Sequence, residues 1–197
     1  MDRCLVLFVE GETEVEFYRR IISEAKKLRP NKQFDLEIET KCVKGVGNFK
    51  TDVLRKFKKE IITNHADVKE FIIVLCSDTD VFEFTQHPPI IWKDVIAELR
   101  NAGANEVIHI QAKHSIEDWF LYDLEGIISF LRLPKKTKVP SSGNGYQKLN
   151  KLYGMAHKMY FKGMKSNGMI QKLDFEKIIG NISQEMKPLY KVLGINK

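Results

Sequence analysis

The stretch LFVEGETEVEFYRRI, Leu7 to Ile21, decides the fold, because the apolar pattern changes period inside it. Up to Val9 the run CLVLFV reads as a short apolar strand. From Thr13 to Leu28, Val15, Tyr18, Ile22 and Ala25 recur at helical spacing, and Arg29-Pro30-Asn31 ends the helix. A strand feeding straight into a helix is the opening unit of an α/β chain, and three glutamates, Glu10, Glu12 and Glu14, sit at the junction.

Downstream the same unit recurs. FDLEIETKCV alternates like a half-buried strand, and KGVGN turns into a helix from Phe49 to Thr63. EFIIVLC is apolar throughout, which suits a central strand. After the loop SDTDVFEFTQH, Pro88 and Pro89 suit the start of a helix running to Asn101, and Gly103 suits its end. EVIHIQA is a fourth strand, and Ser115 can cap a fourth helix reaching about Leu131, with Glu117 and Asp118 near its positive end. Four such units with short connections predict a Rossmann-like α/β fold, a mostly parallel four-stranded sheet flanked by helices.

The 197 residues suffice for one main core. Residues 1–132 are expected to form the α/β domain, and 133–145, LPKKTKVPSSGNG, a linker or mobile loop. Residues 146–197 are expected to add two or three short helices, a basic extension packing on the core. With 43% hydrophobic and 29% charged residues the composition is that of a soluble protein, and no apolar run approaches the roughly 20 residues of a membrane span. Met1-Asp2-Arg3 leads directly into the first strand, so no secretory signal is expected and the location is read as cytoplasmic. Cys4, Cys42 and Cys76 lack C-x-x-C spacing and read as reduced core residues. Of the scattered histidines, only His114, beside Ser115, is placed to touch a phosphate, while Trp119 and Phe120 read as helix core. The net charge of +6 is concentrated in the lysine-rich last third, which suits either a solvated helical surface or contact with polyphosphate.

In a parallel sheet the loops leaving the strand carboxyl ends share one edge, where such folds bind ligands. Strand one ends in Glu10, with Glu14 four residues on and able to face the same point, whereas Glu12 should face away. Strand three ends in Asp78 and Asp80, and strand four is followed by Ser115, Glu117 and Asp118. Each feature has an ordinary reading as a helix-start charge, a turn former or a cap. Their convergence is the argument: so many carboxylates repel one another unless a cation sits among them, and oxygen-only ligation favours Mg2+ or Mn2+ over zinc.

This pattern resembles the Toprim domain, the magnesium-binding unit of topoisomerases, primases, recombination mediators and overcoming-lysogenization-defect (OLD) nucleases. The resemblance spans about Cys4 to Leu131 and rests on Glu10-Gly11 after strand one and Asp78-Thr79-Asp80 after strand three. In its details, VEGETE, SDTD and SIEDW, it is most similar to OLD-type and small stand-alone, RloB-like Toprim proteins of bacterial defence systems. It implies two Mg2+ or Mn2+ ions: Glu10 and Glu14 on one, Asp78 shared, and Ser115 and Glu117 with Asp80 near the second. It also implies an assisting lysine, Lys162 or Lys165 in FKGMKS. The topoisomerase form is not matched, since Val81-Phe82-Glu83 follows the aspartates where that form has a glycine.

The expected function is therefore metal-dependent cleavage of DNA or RNA phosphodiesters, with bacterial or phage defence as the expected setting. Glu10, Asp78, Asp80, Lys162 and Lys165 are the candidate catalytic residues, and Lys113, His114, Lys158, Lys162 and Lys165 the candidate nucleic-acid contacts. One alternative is a haloacid-dehalogenase-like phosphatase with Asp78 as nucleophile, since IIVLCSDTDV also resembles that motif. The other is a non-catalytic partner of an ATPase, because the chain has no phosphate loop of its own. A homodimer is compatible with this sequence.

Overall fold

The structure, a computed structural model, describes residues 1–28, 34–80 and 90–195. Four strands, β1 (Arg3–Val9), β2 (Glu37–Cys42), β3 (Glu70–Asp78) and β4 (Glu106–Ala112), form one sheet in the order β2-β1-β3-β4. All three pairings are parallel, so the expected α/β class holds. β3 runs two residues further than its apolar core, which carries Asp78 to the end of the strand opposite Ala112.

Helix α1 (Glu12–Lys27) returns the chain to β2 on one side of β1. The next crossovers travel the other way, and because such connections are right-handed their helices must lie on the opposite face. There sit a 3-10 turn (Val46–Lys50), α2 (Asp52–Lys56), a single π turn (Phe57–Ile61), α3 (Ile62–Asn64) and α4 (Trp92–Asn101). Alternation along the strands divides the core accordingly. Cys4, Val6, Phe8, Ile73 and Leu75 pack with Phe49, Val53, Phe57, Ile61, Val95 and Leu99. Leu5, Leu7, Val9, Ile72, Val74 and Cys76 point the other way, toward α1.

The helix expected from Ser115 to Leu131 is interrupted. It consists of α5 (Ile116–Phe120), a 3-10 turn (Leu121–Asp123) and α6 (Leu124–Leu131), with Asp123 capping α6 through the Gly126 N–H. The extension is also richer than expected. It holds α7 (Gly145–Met155), a 3-10 turn (Gly163–Ser166), α8 (Asn167–Ile170), α9 (Phe175–Asn181) and α10 (Ser183–Val192). Leu149, Leu152, Met169, Ile178, Met186 and Leu189 belong to the same apolar cluster as α1 and the sheet. The extension therefore completes the core on the α1 face. Gly103 ends α4 with φ of 109°, as its position suggested. The proline start proposed for α4, Pro88 and Pro89, lies outside the described residues.

All three cysteines are free, Cys4 and Cys76 buried and Cys42 half-buried. Trp119 and Phe120 are buried, their rings 5.8 and 5.6 Å from that of Phe17. Among the described residues no helix is long and apolar enough to cross a membrane.

Candidate functional site

The strand order reverses at β1, whose neighbours are β2 and β3. At the carboxyl ends of β1 and β3 the two crossovers part, leaving the crevice that open parallel sheets use for ligands. Glu10 and Asp78 meet there: the Asp78 N–H donates to Glu10 Oε1 at 2.9 Å. The end of β2 closes in from the other side, with the Gly45 N–H donating to the Glu10 carbonyl at 2.9 Å.

Glu14, one turn into α1, is only 7% exposed, whereas Glu12 faces solvent as its spacing required. The Glu14 carboxylate folds back over Gly11, so closely that a Cβ at residue 11 would lie 2.9 Å from Glu14 Oε2. A side chain at residue 11 would displace the Glu14 carboxylate from this position. Gly11 is extended, so the constraint is space and not backbone handedness.

Asp78, 6% exposed, takes the Ile116 N–H on Oδ1 at 3.0 Å, which ties β3 to the start of α5. The next residue in that turn of α5 is Glu117, with no exposed surface at all. The loop between β4 and α5 is held against the β3 end by three bonds. Thr79 and Asp80 donate their N–H groups to the His114 carbonyl at 3.0 and 2.9 Å, and the His114 N–H donates to Thr79 Oγ1 at 2.8 Å. His114 adopts φ of 65° to do this.

Lys162 arrives from the far end of the chain. Its Nζ is 3.2 Å from Glu117 Oε2, and its side chain is 48% exposed, so the ammonium bridges the buried acid and solvent. Burial works against charge on Lys162, yet the carboxylates of Glu117, Asp78 and Glu14 outweigh it and raise its pKa. The acids show the reverse strain. Burial, opposed by the Asp78 N–H and reinforced by Glu14 and Asp80, pushes Glu10 up to about 7. Burial with Glu14, Glu10 and Glu117 pushes Asp78 up to about 9. Burial and Glu117 raise Glu14 as well. Four carboxylates thus share a poorly solvated edge, and Lys162 is the cation that acts on Glu10, Glu14 and Asp78 alike.

Several expected roles look different in place. Ser115 occupies the N-cap position of α5 without capping it, donating instead through Oγ to Asp118 Oδ2 at 3.0 Å. Asp80 is half-buried on the turn beyond β3, close enough for its charge to act on Glu10. Lys165 is exposed and lies over the Phe161 ring, 4.5 Å from its centroid, while Lys158 lies over Phe130 at 5.8 Å. Of the two lysines weighed for the acids, Lys162 is the one paired with them. Lys113 and His114 line a surface cleft with Asp118, Tyr122 and Lys148. A second cleft, between α1 and the β2 edge and lined in part by Arg19, Lys26, Glu39 and Thr40, contains none of the candidate residues.

Two residues at the site were not singled out from the sequence. The Tyr160 hydroxyl donates to Glu117 Oε1 at 3.1 Å, and Thr13 Oγ1 accepts the Gly163 N–H at 2.6 Å. Local periodicity carries no signal for either, since each contact joins residues far apart in the chain.

As a donor set the site offers only oxygens. Among the described residues no group of three or more His, Cys, Asp or Glu side chains is already arranged to hold an ion. The chemistry of the set nevertheless fits a hard divalent cation: buried, mutually repelling carboxylates, and a fully buried Glu117 Oε2 with no hydrogen-bond partner. Comparison of the chain with family models, with curated proteins and with solved structures gives no match in any of the three.

Proposed function

We propose that this protein is a divalent-metal-dependent phosphodiesterase acting on nucleic acid, with a Toprim-like centre at the β1–β3 edge. The observation that carries the reading is the convergence of Glu10, Glu14, Asp78 and Glu117, from three separate crossovers, with Lys162 among them. Glu10, Glu14, Asp78 and Glu117 would hold Mg2+ or Mn2+, with Asp80 and Ser115 at the periphery. When bound, such ions polarise a phosphoryl oxygen and lower the pKa of water, the two things phosphodiester hydrolysis needs.

The chain's own residues divide the remaining work. Asp78, fixed by the Ile116 N–H, and Glu10, fixed by the Asp78 N–H, form the rigid floor of the site. Lys162, half in solvent, is placed to meet a phosphate oxygen and to offset the charge that grows on it in the transition state. Lys113, His114 and Lys148 along the neighbouring cleft, with the exposed Lys158 and Lys165, supply sequence-independent attraction for a phosphate backbone. Acid at the centre and base around it is the arrangement expected when metal ions stand between protein and polyanion.

The test is cleavage of labelled single- and double-stranded DNA and RNA with Mg2+ or Mn2+. Cleavage by the wild type and its loss in Asp78→Asn support the reading, and undiminished cleavage by that variant overturns it. Activity confined to small phosphomonoesters, with a trapped phosphoryl group on Asp78, would favour the phosphatase alternative. Cleavage that appears only after adding an ATPase partner would make this chain a subunit of a larger nuclease.

A further inference from the structure

We propose that Tyr160 is a positioning residue for this acid centre, and that the segment from Tyr160 to Ser166 is a clasp needed for full cation affinity. The inference rests on the metal-site reading above and adds a component from outside the sheet. Glu117 is fully buried, and its two carboxylate oxygens have unequal surroundings. Oε1 accepts the Tyr160 hydroxyl at 3.1 Å, while Oε2 has no hydrogen bond and faces Lys162 Nζ at 3.2 Å. The half-exposed Lys162 ammonium is thus the one described partner of Oε2, so the orientation of this carboxylate rests on Tyr160. The Tyr160 bond holds Oε1 on one side and leaves Oε2 turned toward Lys162.

Tyr160 is itself held firmly. It is 2% exposed, with its ring 5.3 Å from Tyr153 and 5.8 Å from Tyr146. Just beyond it the chain turns through Gly163, whose φ of 86° suits glycine, and is fastened to α1. The Gly163 N–H donates to Thr13 Oγ1 at 2.6 Å, and Ser166 Oγ donates to the Gly163 carbonyl at 2.6 Å. Thr13 adjoins Glu14. One short segment therefore grips the acid-bearing start of α1 at one end and the acid of α5 at the other, and delivers Lys162 between them. Groups that orient a ligand through its second oxygen change metal affinity by about 10–100-fold when removed.

The test is Mn2+ binding by calorimetry, with free Mn2+ followed by paramagnetic resonance, for the wild type, Tyr160→Phe and Tyr153→Phe. Tyr160→Phe keeps the ring packing and is expected to weaken Mn2+ binding about 10–100-fold, with little change in metal-free melting temperature. Tyr153→Phe, altered in the adjacent ring, is expected to bind like the wild type. If Tyr160→Phe fails to fold, Thr13→Val loosens the other end of the clasp, and weaker Mn2+ binding is again expected. Unchanged affinity in the folded variant, or equal losses in both tyrosine variants, overturns the positioning role. A wild type that takes up no Mn2+ overturns the metal-site reading, and this inference with it.

Discussion

Two of the places where this protein buries carboxylates do so in opposite ways. Asp123, 2% exposed, is surrounded by donors: Oδ1 takes the Gly126 N–H at 3.2 Å, Oδ2 takes the Asp174 N–H at 2.8 Å, and Lys177 Nζ stands 3.7 Å away. It joins the start of α6 to the start of α9. At the β1–β3 edge Glu10 and Asp78 each take a single backbone N–H and Glu117 the Tyr160 hydroxyl beside Lys162, yet burial with mutual repulsion still raises Glu10, Glu14 and Asp78. A buried acid among donors is explained by folding. A group of buried acids short of donors is a cost to folding that a bound cation would relieve, and the contrast identifies the second place as the functional candidate.

The contrast breaks most sharply with two substitutions. Asp78→Asn should lower metal-dependent cleavage by more than the ~100-fold upper range for losing an outer-shell partner, while leaving metal-free stability unchanged or higher. Asp123→Ala should do the opposite. It strands the Gly126 and Asp174 N–H groups and costs about 2–4 kcal/mol, with cleavage per folded molecule retained. Denaturant unfolding in EDTA alongside single-turnover cleavage reads both axes. If Asp78→Asn destabilises as much as Asp123→Ala, the acids at the edge are structural and the distinction collapses.

Much of the edge was legible because its residues lie at element boundaries. Glu10, Asp78 and Glu117 each follow a strand that periodicity identifies, so knowing that the strands run parallel brings their ends together. The break in the fourth helix was not legible. At the break Asp123 caps α6 through the nearby Gly126 N–H and also takes the Asp174 N–H, a contact across 51 residues that local spacing cannot encode. The same reason hid Tyr160 and Thr13, whose partners lie 43 and 150 residues away. It also left Lys162 and Lys165 equivalent on paper, since only tertiary packing turns one toward Glu117 and the other over Phe161. Ser115 was misjudged in detail because a cap position does not fix which neighbour its hydroxyl chooses, and Asp118 wins.

A glycine probes the ground between the two regions. Gly145, at the start of α7, lies so close to α5 that a Cβ would come 2.4 Å from the Asp118 nitrogen and 2.7 Å from Asp118 Oδ2. Gly145→Ala must move α7 or α5, at a cost of about 1–3 kcal/mol. Because α5 carries Glu117 and follows directly on its N-cap Ser115, Mn2+ binding should weaken along with the melting temperature. A variant that loses stability but binds Mn2+ as before would show that α5 tolerates displacement without disturbing the acids, and would weaken the case for a preorganised site.

The smallest effect is a slope, and its sign separates the acids from the half-buried His109. Glu10 and Asp78 have folded pKa values raised from 4.5 to about 7 and from 3.8 to about 9. In metal-free protein the folded chain therefore keeps protons that the unfolded chain has lost. That contribution to stability is complete below the unfolded pKa and disappears as pH rises through the folded one. His109, beside Trp92 and hydrogen-bonded to Ser77 at 2.9 Å, is lowered by burial from 6.5 to about 4. Its contribution is complete above 6.5 and is lost as pH falls through 4. Below pH 6.5 the two trends oppose each other, and between 7 and 9 the falling trend belongs to Asp78 together with its raised neighbour Glu14. In EDTA the wild type should lose stability across pH 7 to 9, by at most about 1.4 kcal/mol per pH unit for one proton. Asp78→Asn should flatten that limb, and His109→Gln should alter only the limb below 6.5. If Asp78→Asn follows the wild type from pH 7 to 9, Asp78 does not retain its proton in the folded protein, and the crowding on which the metal site depends is absent.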